Sequence, residues 1–272
     1  MTNFIKVYMK VLFYTITMLI LVLSGCSREF DEPLLIAYND GSSIYLIDEN
    51  GENLKQLPTG GSDQNPAFSP DGKNIVYWRT GTYYTKNLEI GQQVPLIGGV
   101  GMYSTWSPDG SKIAYLASNH LLTINADGTD PVQISAANVN NGPVTWSSDS
   151  QIIACRRGGD FKILYYDLNN PPLSTFLPEG LNPVDVFGVS FSPDGKEIVY
   201  TDLSTNMYVS SIDFTSVRVL NVQGINPSWS PDGSKIVYEN GGYIRIVSSD
   251  GGDYIEIAGP NCHNPCYQYK PH

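Results

Sequence analysis

Only three histidines occur in the 272 residues of this chain. Two of them, His263 and His272, fall at the C-terminal end, which leaves His120 as the one imidazole in the body of the sequence. Histidine supplies many zinc ligands and the general base of Ser–His–Asp catalysis, so both chemistries are poorly provided for. No Gly-x-Ser-x-Gly segment marks a nucleophile elbow either. Basic residues are also short: 16 Lys and Arg face 27 Asp and Glu, a formal net charge of −11. A surface of that sign repels a phosphate backbone, which excludes nucleic acid as a partner. Long apolar runs are missing except at the start, where Val11 to Leu23 is too short to span a bilayer comfortably.

That run follows Lys6 and Lys10 and ends in Leu23-Ser24-Gly25-Cys26. The tetrapeptide resembles the bacterial lipobox. The resemblance implies a lipoprotein signal peptide over 1–25, acylation of Cys26, and a short lipidated tether over 26–33 rich in Glu29, Asp31 and Glu32. An ordinary secretory peptide or an N-terminal anchor helix are the alternatives. Acyl chains on Cys26 would hold the protein on a membrane without a spanning helix. Ser27, in place of an acidic residue, favours the outer membrane of a two-membrane bacterium by the same resemblance. Removing residues 1–25 takes two lysines from the −11 total and leaves −13. Such a charge argues against lying flat on anionic lipid.

The rest of the chain, 34–272, is organised by a repeat. Phe68-Ser69-Pro70-Asp71-Gly72 leads to Ile75-Val76-Tyr77, and Trp106-Ser107-Pro108-Asp109-Gly110 leads to Ile113-Ala114-Tyr115. A worn copy, Trp146-Ser147-Ser148-Asp149-Ser150, leads to Ile153-Ala154-Cys155. Phe191 and Trp229 open two further copies. The aspartates are 38, 40, 45 and 38 residues apart, a period that marks a repeat fold. Pro presets φ, Asp bonds its own backbone and Gly accepts a left-handed conformation, so the motif predicts a turn between two strands. Two more strands and a second Gly-containing turn complete each unit, which is the plan of a four-stranded propeller blade.

Ile36-Ala37-Tyr38 adds a sixth second strand with no turn of its own before it. Asn264-Pro265-Cys266-Tyr267 copies Asn226-Pro227-Ser228-Trp229 and Asn65-Pro66-Ala67-Phe68, so the C-terminal strand is expected to complete the first blade and close the ring. The expected architecture is an all-β, six-bladed propeller of four antiparallel strands per blade. Its blades fall at 34–57 plus 264–270, 65–97, 103–135, 143–177, 187–221 and 226–258. The Phe/Trp-Ser-Pro-Asp-Gly-x-x-Ile-x-Tyr pattern resembles the WD40-like (PD40) repeats of TolB-type propellers. That resemblance implies an envelope propeller that engages protein partners. TolB carries an additional N-terminal α/β domain that this chain is not expected to hold, so the Tol–Pal role does not transfer directly.

Strand direction puts the Ser-Pro-Asp-Gly turns on one face of the disc and the longer, irregular loops on the other. Loops on a rigid scaffold tend to carry binding residues. The candidate binding face gathers Arg79, Tyr83, Tyr103, His120, Arg156, Arg157, Asp160, Asp185, Asp202 and Glu239, with Asp63, Asn138 and Asn140 beside them. Arg156-Arg157 is a basic spot in an acidic protein; it suits a carboxylate or salt bridges to neighbouring loops. The turn aspartates are spread around a ring and cannot converge on one ion, so no metal and no cofactor are expected. Cys155 stands where other repeats have Tyr and reads as a buried, inert thiol. Cys262 and Cys266 are spaced for a small disulfide loop in an exported protein.

The functional expectation is a lipid-anchored, non-catalytic scaffold that binds an envelope protein or peptide. The alternative is a glycan-binding or glycan-processing propeller, a lyase or hydrolase working at the ring mouth with a carboxylate pair such as Asp160 and Asp202.

Overall fold

The structure is a computed structural model that describes residues 34–99, 101–135, 139–157, 163–169 and 186–268. The signal peptide, Cys26 and the tether lie outside the described residues, as do Asp160, Asp185 and Asn138. Blade one contains β1 (Leu35–Asn39), β2 (Ile44–Asp48) and β3 (Lys55–Gln56). Blade two follows with β4 (Asp63–Phe68), β5 (Asn74–Arg79), β6 (Thr82–Asn87) and β7 (Gln93–Gly98). Blade three holds β8 (Ser104–Trp106), β9 (Lys112–Ala117), β10 (His120–Asn125) and β11 (Val132–Gln133). In blade four the described strands are β12 (Val139–Trp146), β13 (Ile152–Arg157) and β14 (Ile163–Asp167). Blade five has β15 (Val186–Phe191), β16 (Glu197–Asp202), β17 (Asn206–Ser211) and β18 (Val217–Gln223). Blade six has β19 (Ile225–Trp229), β20 (Lys235–Asn240), β21 (Tyr243–Ser248) and β22 (Tyr254–Ala258). The last strand, β23 (His263–Tyr267), pairs antiparallel with β1 and completes the first sheet in the order β23-β1-β2-β3. The expected fold, including its split first blade, is what the chain adopts; no helix occurs among the described residues.

Why the Ile-x-Tyr strand is apolar throughout becomes plain from its neighbours. Ile75 and Tyr77 pack against Ala37, Ile44 and Leu46 of blade one, while Val76 between them faces Ile113 and Tyr115 of blade three. The same alternation recurs at each of six seams. Each sheet is therefore buried on both faces, and period-2 patterning disappears in its middle strands. Residues such as Ile36, Ile75, Ile153, Ile198 and Ile236 are wholly buried, and each such side chain contributes roughly 1.5–3 kcal/mol by leaving water.

The Ser-Pro-Asp-Gly turns carry one hydrogen-bond plan. In blade six, Ser230 Oγ donates to Asp232 Oδ1 at 2.6 Å and accepts from the Lys235 amide at 2.9 Å, while the Ser234 amide donates to Asp232 Oδ1 at 3.0 Å. The other four turns repeat the Ser–Asp bond at 2.5–2.7 Å. Gly233 stands at φ 72°, and the worn copy puts Ser150 at φ 60°, a backbone that costs a non-glycine residue roughly 1–2 kcal/mol. Its hydroxyl offsets part of this by accepting the Asp109 amide of the neighbouring blade at 3.1 Å.

Cysteine chemistry needs one correction. Cys155 is fully buried in the seam between blades three and four, and burial pushes its thiol up, as expected of an inert group. Cys262 and Cys266, however, are free thiols. They pack into the seams on opposite faces of the first sheet, Cys262 with Tyr38 and Cys266 beside Ala37 and Phe68. A sheet stands between them, which overrides the short sequence spacing.

Two outcomes follow from this construction. Deleting residues 262–272 removes β23 and leaves the inner edge of β1 unpaired, so the shortened chain is expected to lose its cooperative melt near the full-length Tm; an unchanged melt would show that β23 is no clasp. Stability should also fall in acid. Burial tends to raise the carboxyls of Asp71, Asp109 and Asp232, but the serine hydroxyl and backbone amides outweigh it and hold them below the ordinary 3.8. A pKa depressed by folding stabilises above the unfolded value and is lost as pH falls through the folded one. Denaturant midpoints are therefore expected to stay level from neutral pH to about 5 and drop below about 4, with Ser230→Ala flattening the drop and costing about 1–3 kcal/mol at neutral pH.

Candidate functional site

The six inner strands β4, β8, β12, β15, β19 and β23 face one another across a central channel, where they enclose a cavity of about 130 Å³. Each inner strand is an edge strand with one ladder side open to that channel, which is why proline is tolerated at Pro66, Pro143, Pro227 and Pro265. The Asn-Pro pairs have a specific geometry. Asn65, Asn226 and Asn264 sit at φ 51°, 52° and 53°, inside stretches where the pairing register of β4, β19 and β23 shifts. Asparagine tolerates the left-handed conformation better than other non-glycine residues, and a bulge of this kind re-aims a side chain. These three carboxamides stand at the starts of their strands, on the loop face of the disc, whereas the aromatic residues Phe68, Trp229 and Tyr267 end the strands at the turn face.

Around that loop-side mouth the structure assembles a polar cluster. Glu239, at the end of β20 and only 7% exposed, accepts the Asn264 amide at 3.1 Å and the Asn226 carboxamide at 3.3 Å through Oε2. Its Oε1 lies 2.8 Å from His263 Nδ1. Asn226 Nδ2 also donates to Asn264 Oδ1 at 2.8 Å, and the Asn264 and Asn39 carboxamides meet at 3.2 Å. The cluster thus ties blade six to the closing strand and to blade one. Tyr103 enters the channel from β8's start; burial first, and the Glu239 charge second, push its hydroxyl up to about 12, against the pull of Arg156. Desolvation lowers Arg156, with Tyr103 opposing. Asn65 Oδ1 and Ser104 Oγ, both in the channel wall, have no hydrogen-bond partner among the described residues.

Of the residues singled out from the sequence, Tyr103, Arg156 and Glu239 share this mouth. Others have structural work. Tyr83 is 1% exposed, and its hydroxyl donates to the Leu116 carbonyl at 2.7 Å and to that of Gly101, so it belongs to the seam between blades two and three rather than to a binding face. Arg79 is committed to fully buried Asp63, Nε to Oδ1 at 2.6 Å, and lies over the rings of Tyr77 and Tyr84 at 5.4 and 5.0 Å. Asp202 accepts the Asn206 amide at 2.8 Å, the Asn206 carboxamide at 3.0 Å and the Tyr208 hydroxyl at 3.1 Å. It caps the loop between β16 and β17, and those bonds outweigh burial to lower its pKa. His120 begins β10, with Nδ1 3.4 Å from Gln133 Nε2. Arg157 ends β13 opposite Val139. The sequence reading missed His263, Asn39 and the role of the Asn-Pro repeats, although the repetition of Asn-Pro was itself visible. Among the described residues no group of His, Cys, Asp and Glu is arranged to hold a metal ion.

Comparison with known proteins places the fold. No family model matches the chain. TolB from Acinetobacter baumannii superposes with a TM-score of 0.71 at 22% identity, over 86% of this chain and 66% of that one. A putative TolB from Agrobacterium tumefaciens gives 0.65 at 18%, over 83% and 89%. A chain of a nidogen/laminin complex gives 0.71 at 10% identity, over 88% and 100%. By sequence, a probable dipeptidyl peptidase 4 from Emericella nidulans is 27% identical over 192 residues, and dipeptidyl-peptidase 5 of Trichophyton tonsurans 26% over 194. Those alignments take in 59% and 57% of this chain but only 23% and 26% of the relatives' own lengths.

Removing the guanidinium of Arg79 strands the Asp63 carboxylate in the interior. Arg79→Ala is therefore expected to cost about 3–5 kcal/mol in urea unfolding, whereas Glu239→Ala, which frees one amide, one carboxamide and the His263 imidazole, should cost about 1–3 kcal/mol. Equal, small costs for both would remove the distinction between clamp and mouth. What this chain shares with TolB, on these findings, is the six-bladed propeller fold.

Proposed function

We propose that this propeller is a lipid-anchored scaffold of the bacterial envelope, non-catalytic, whose loop-side channel mouth binds a protein or peptide. The observation that carries the reading is the open, polar mouth itself: Asn65, Tyr103, Ser104, Asn226 and Asn264 line the channel beside the cluster that Glu239 forms with Asn226 and Asn264. The TolB likeness supports a propeller scaffold, and the likeness to a chain from a nidogen/laminin complex supports a role in binding protein. The lipobox resemblance of Leu23 to Cys26 supports the anchor, and Ser27 the outer membrane.

A second reading, a propeller that serves an enzyme, rests for peptidase chemistry on the partial dipeptidyl peptidase matches and for glycan chemistry on the carboxylates of the ring mouth. Against it, the described mouth carboxylates are already engaged: Asp63 by Arg79, Asp202 by Asn206 and Tyr208, Glu239 by His263, Asn226 and Asn264. A glycosidase pair needs two free carboxyls on a shared pocket.

The experiment is crosslinking capture from intact envelopes with wild type, Cys26→Ala and Tyr103→Ala. Wild type is expected to enrich a defined protein, Tyr103→Ala to lose it while still folding, and Cys26→Ala to leave the membrane fraction. Turnover of a peptide or polysaccharide panel with no enriched protein would favour the second reading.

A further inference from the structure

A groove on the flank of the disc lies apart from the channel, between blades five and six, and holds about 560 Å³. That is well within the range of small-ligand sites, roughly 300–1,000 Å³. Its walls come from the outer strands β17 and β18 on one side and β20 to β22 on the other. Four carboxamides, Asn206, Asn221, Gln223 and Asn240, line it, together with Arg245 and Tyr254.

The groove is built by a local departure from the sheet. Between the pairs Asn206–Gln223 and Tyr208–Val219, the two-residue advance along β17 is met by a four-residue advance along β18. The outer strands of blades two and six carry smaller register shifts, between Tyr83 and Tyr84 and between Ile244 and Arg245. The wider irregularity in β18 puts Asn221 at φ 56° with its side chain exposed, and bulges commonly re-aim side chains at sites. The amides are then linked in a relay. Gln223 Nε2 donates to Asn206 Oδ1 at 3.3 Å, Asn240 Nδ2 donates to the Gln223 carbonyl at 2.7 Å, and Arg245 Nη1 donates to Asn240 Oδ1 at 2.8 Å.

Charge decides what kind of ligand such a groove takes. Arg245 is the one charged group among the lining residues, and Glu256 neutralises it through bonds from Nε and Nη2, both at 3.2 Å. Three of its five N–H groups are used in these bonds and the one to Asn240, so two donors remain on a fixed, balanced guanidinium. Its Cζ stands 4.6 Å from the Tyr254 ring centre, which holds a ring that is still 47% exposed at the groove's edge. The exposed Asn221 amide offers a donor and an acceptor side by side, matched to vicinal hydroxyls, and an accessible aromatic ring suits the C–H face of a pyranose. We propose that this groove is a binding site for a neutral oligosaccharide.

The test is saturation-transfer difference NMR on the full chain with a panel of neutral di- to tetrasaccharides built from hexoses and N-acetylhexosamines. At least one sugar is expected to receive saturation. Tyr254→Ala and Asn221→Gly, the latter chosen because glycine keeps the left-handed backbone, should each weaken it about tenfold or more without changing the melt. Affinity should hold between about 0.05 and about 0.5 M salt, because a neutral ligand gives screening nothing to act on. No transfer to any neutral sugar would overturn the proposal, as would binding that both variants leave unchanged, binding that salt abolishes, or a groove that takes only peptides along the β18 edge. Tyr103→Ala should bind the sugar like wild type, which separates failure at the groove from failure at the channel mouth.

Discussion

A sheet that buries both faces needs a neighbour on each side, and a row of such sheets has no end unless it closes on itself. That constraint governs this molecule. The Ile-x-Tyr strands send isoleucine and tyrosine to one seam and alanine or valine to the next, so no blade holds a complete core of its own. Closure by β23 turns six incomplete cores into one continuous ring. The polar cluster at Glu239 sits on that closing joint, where His263, Asn264, Asn226 and Asn39 meet. The residues that shape the candidate mouth are thus also residues that fasten the ring.

The turns add precision where the seams add energy. Each serine–aspartate pair replaces several residues' worth of ordering with a preset loop, and the five copies share one hydrogen-bond plan. Aspartates that recur in a sequence invite a catalytic or metal reading. Here one oxygen of each, Oδ1, is already occupied by a serine hydroxyl and a backbone amide, and the local chemistry accounts for the recurrence.

Legibility followed the period. Blade number, strand order and the split first blade were readable because Ser-Pro-Asp-Gly and Ile-x-Tyr are local signals repeated at a near-constant interval. Direction of travel along each strand was enough to bring Tyr103, Arg156 and Glu239 to one mouth. Placement on a face did not say which side chains were free. Tyr83 lay on the correct face by count but is turned into a seam by its bonds to Leu116 and Gly101. Arg79 was absorbed by a buried aspartate sixteen positions away. Cys262 and Cys266 are close in sequence yet separated by the sheet they belong to. His263 joined the site because the C-terminal strand docks beside blade six, a contact that no local pattern announces. The flank groove depends on a register irregularity in β18, which leaves no composition signal beyond Asn221 and Gln223.

The central functional claim is that the loop-side mouth of the channel is where a protein partner docks. Hydrogen–deuterium exchange of the full chain, free and in complex with the captured partner, tests it most directly. Slowed exchange concentrated at residues 224–226, 239–242 and 262–264 is the expected result. Protection confined to the Ser-Pro-Asp-Gly turns or to the outer strands, with the mouth unchanged, would contradict it.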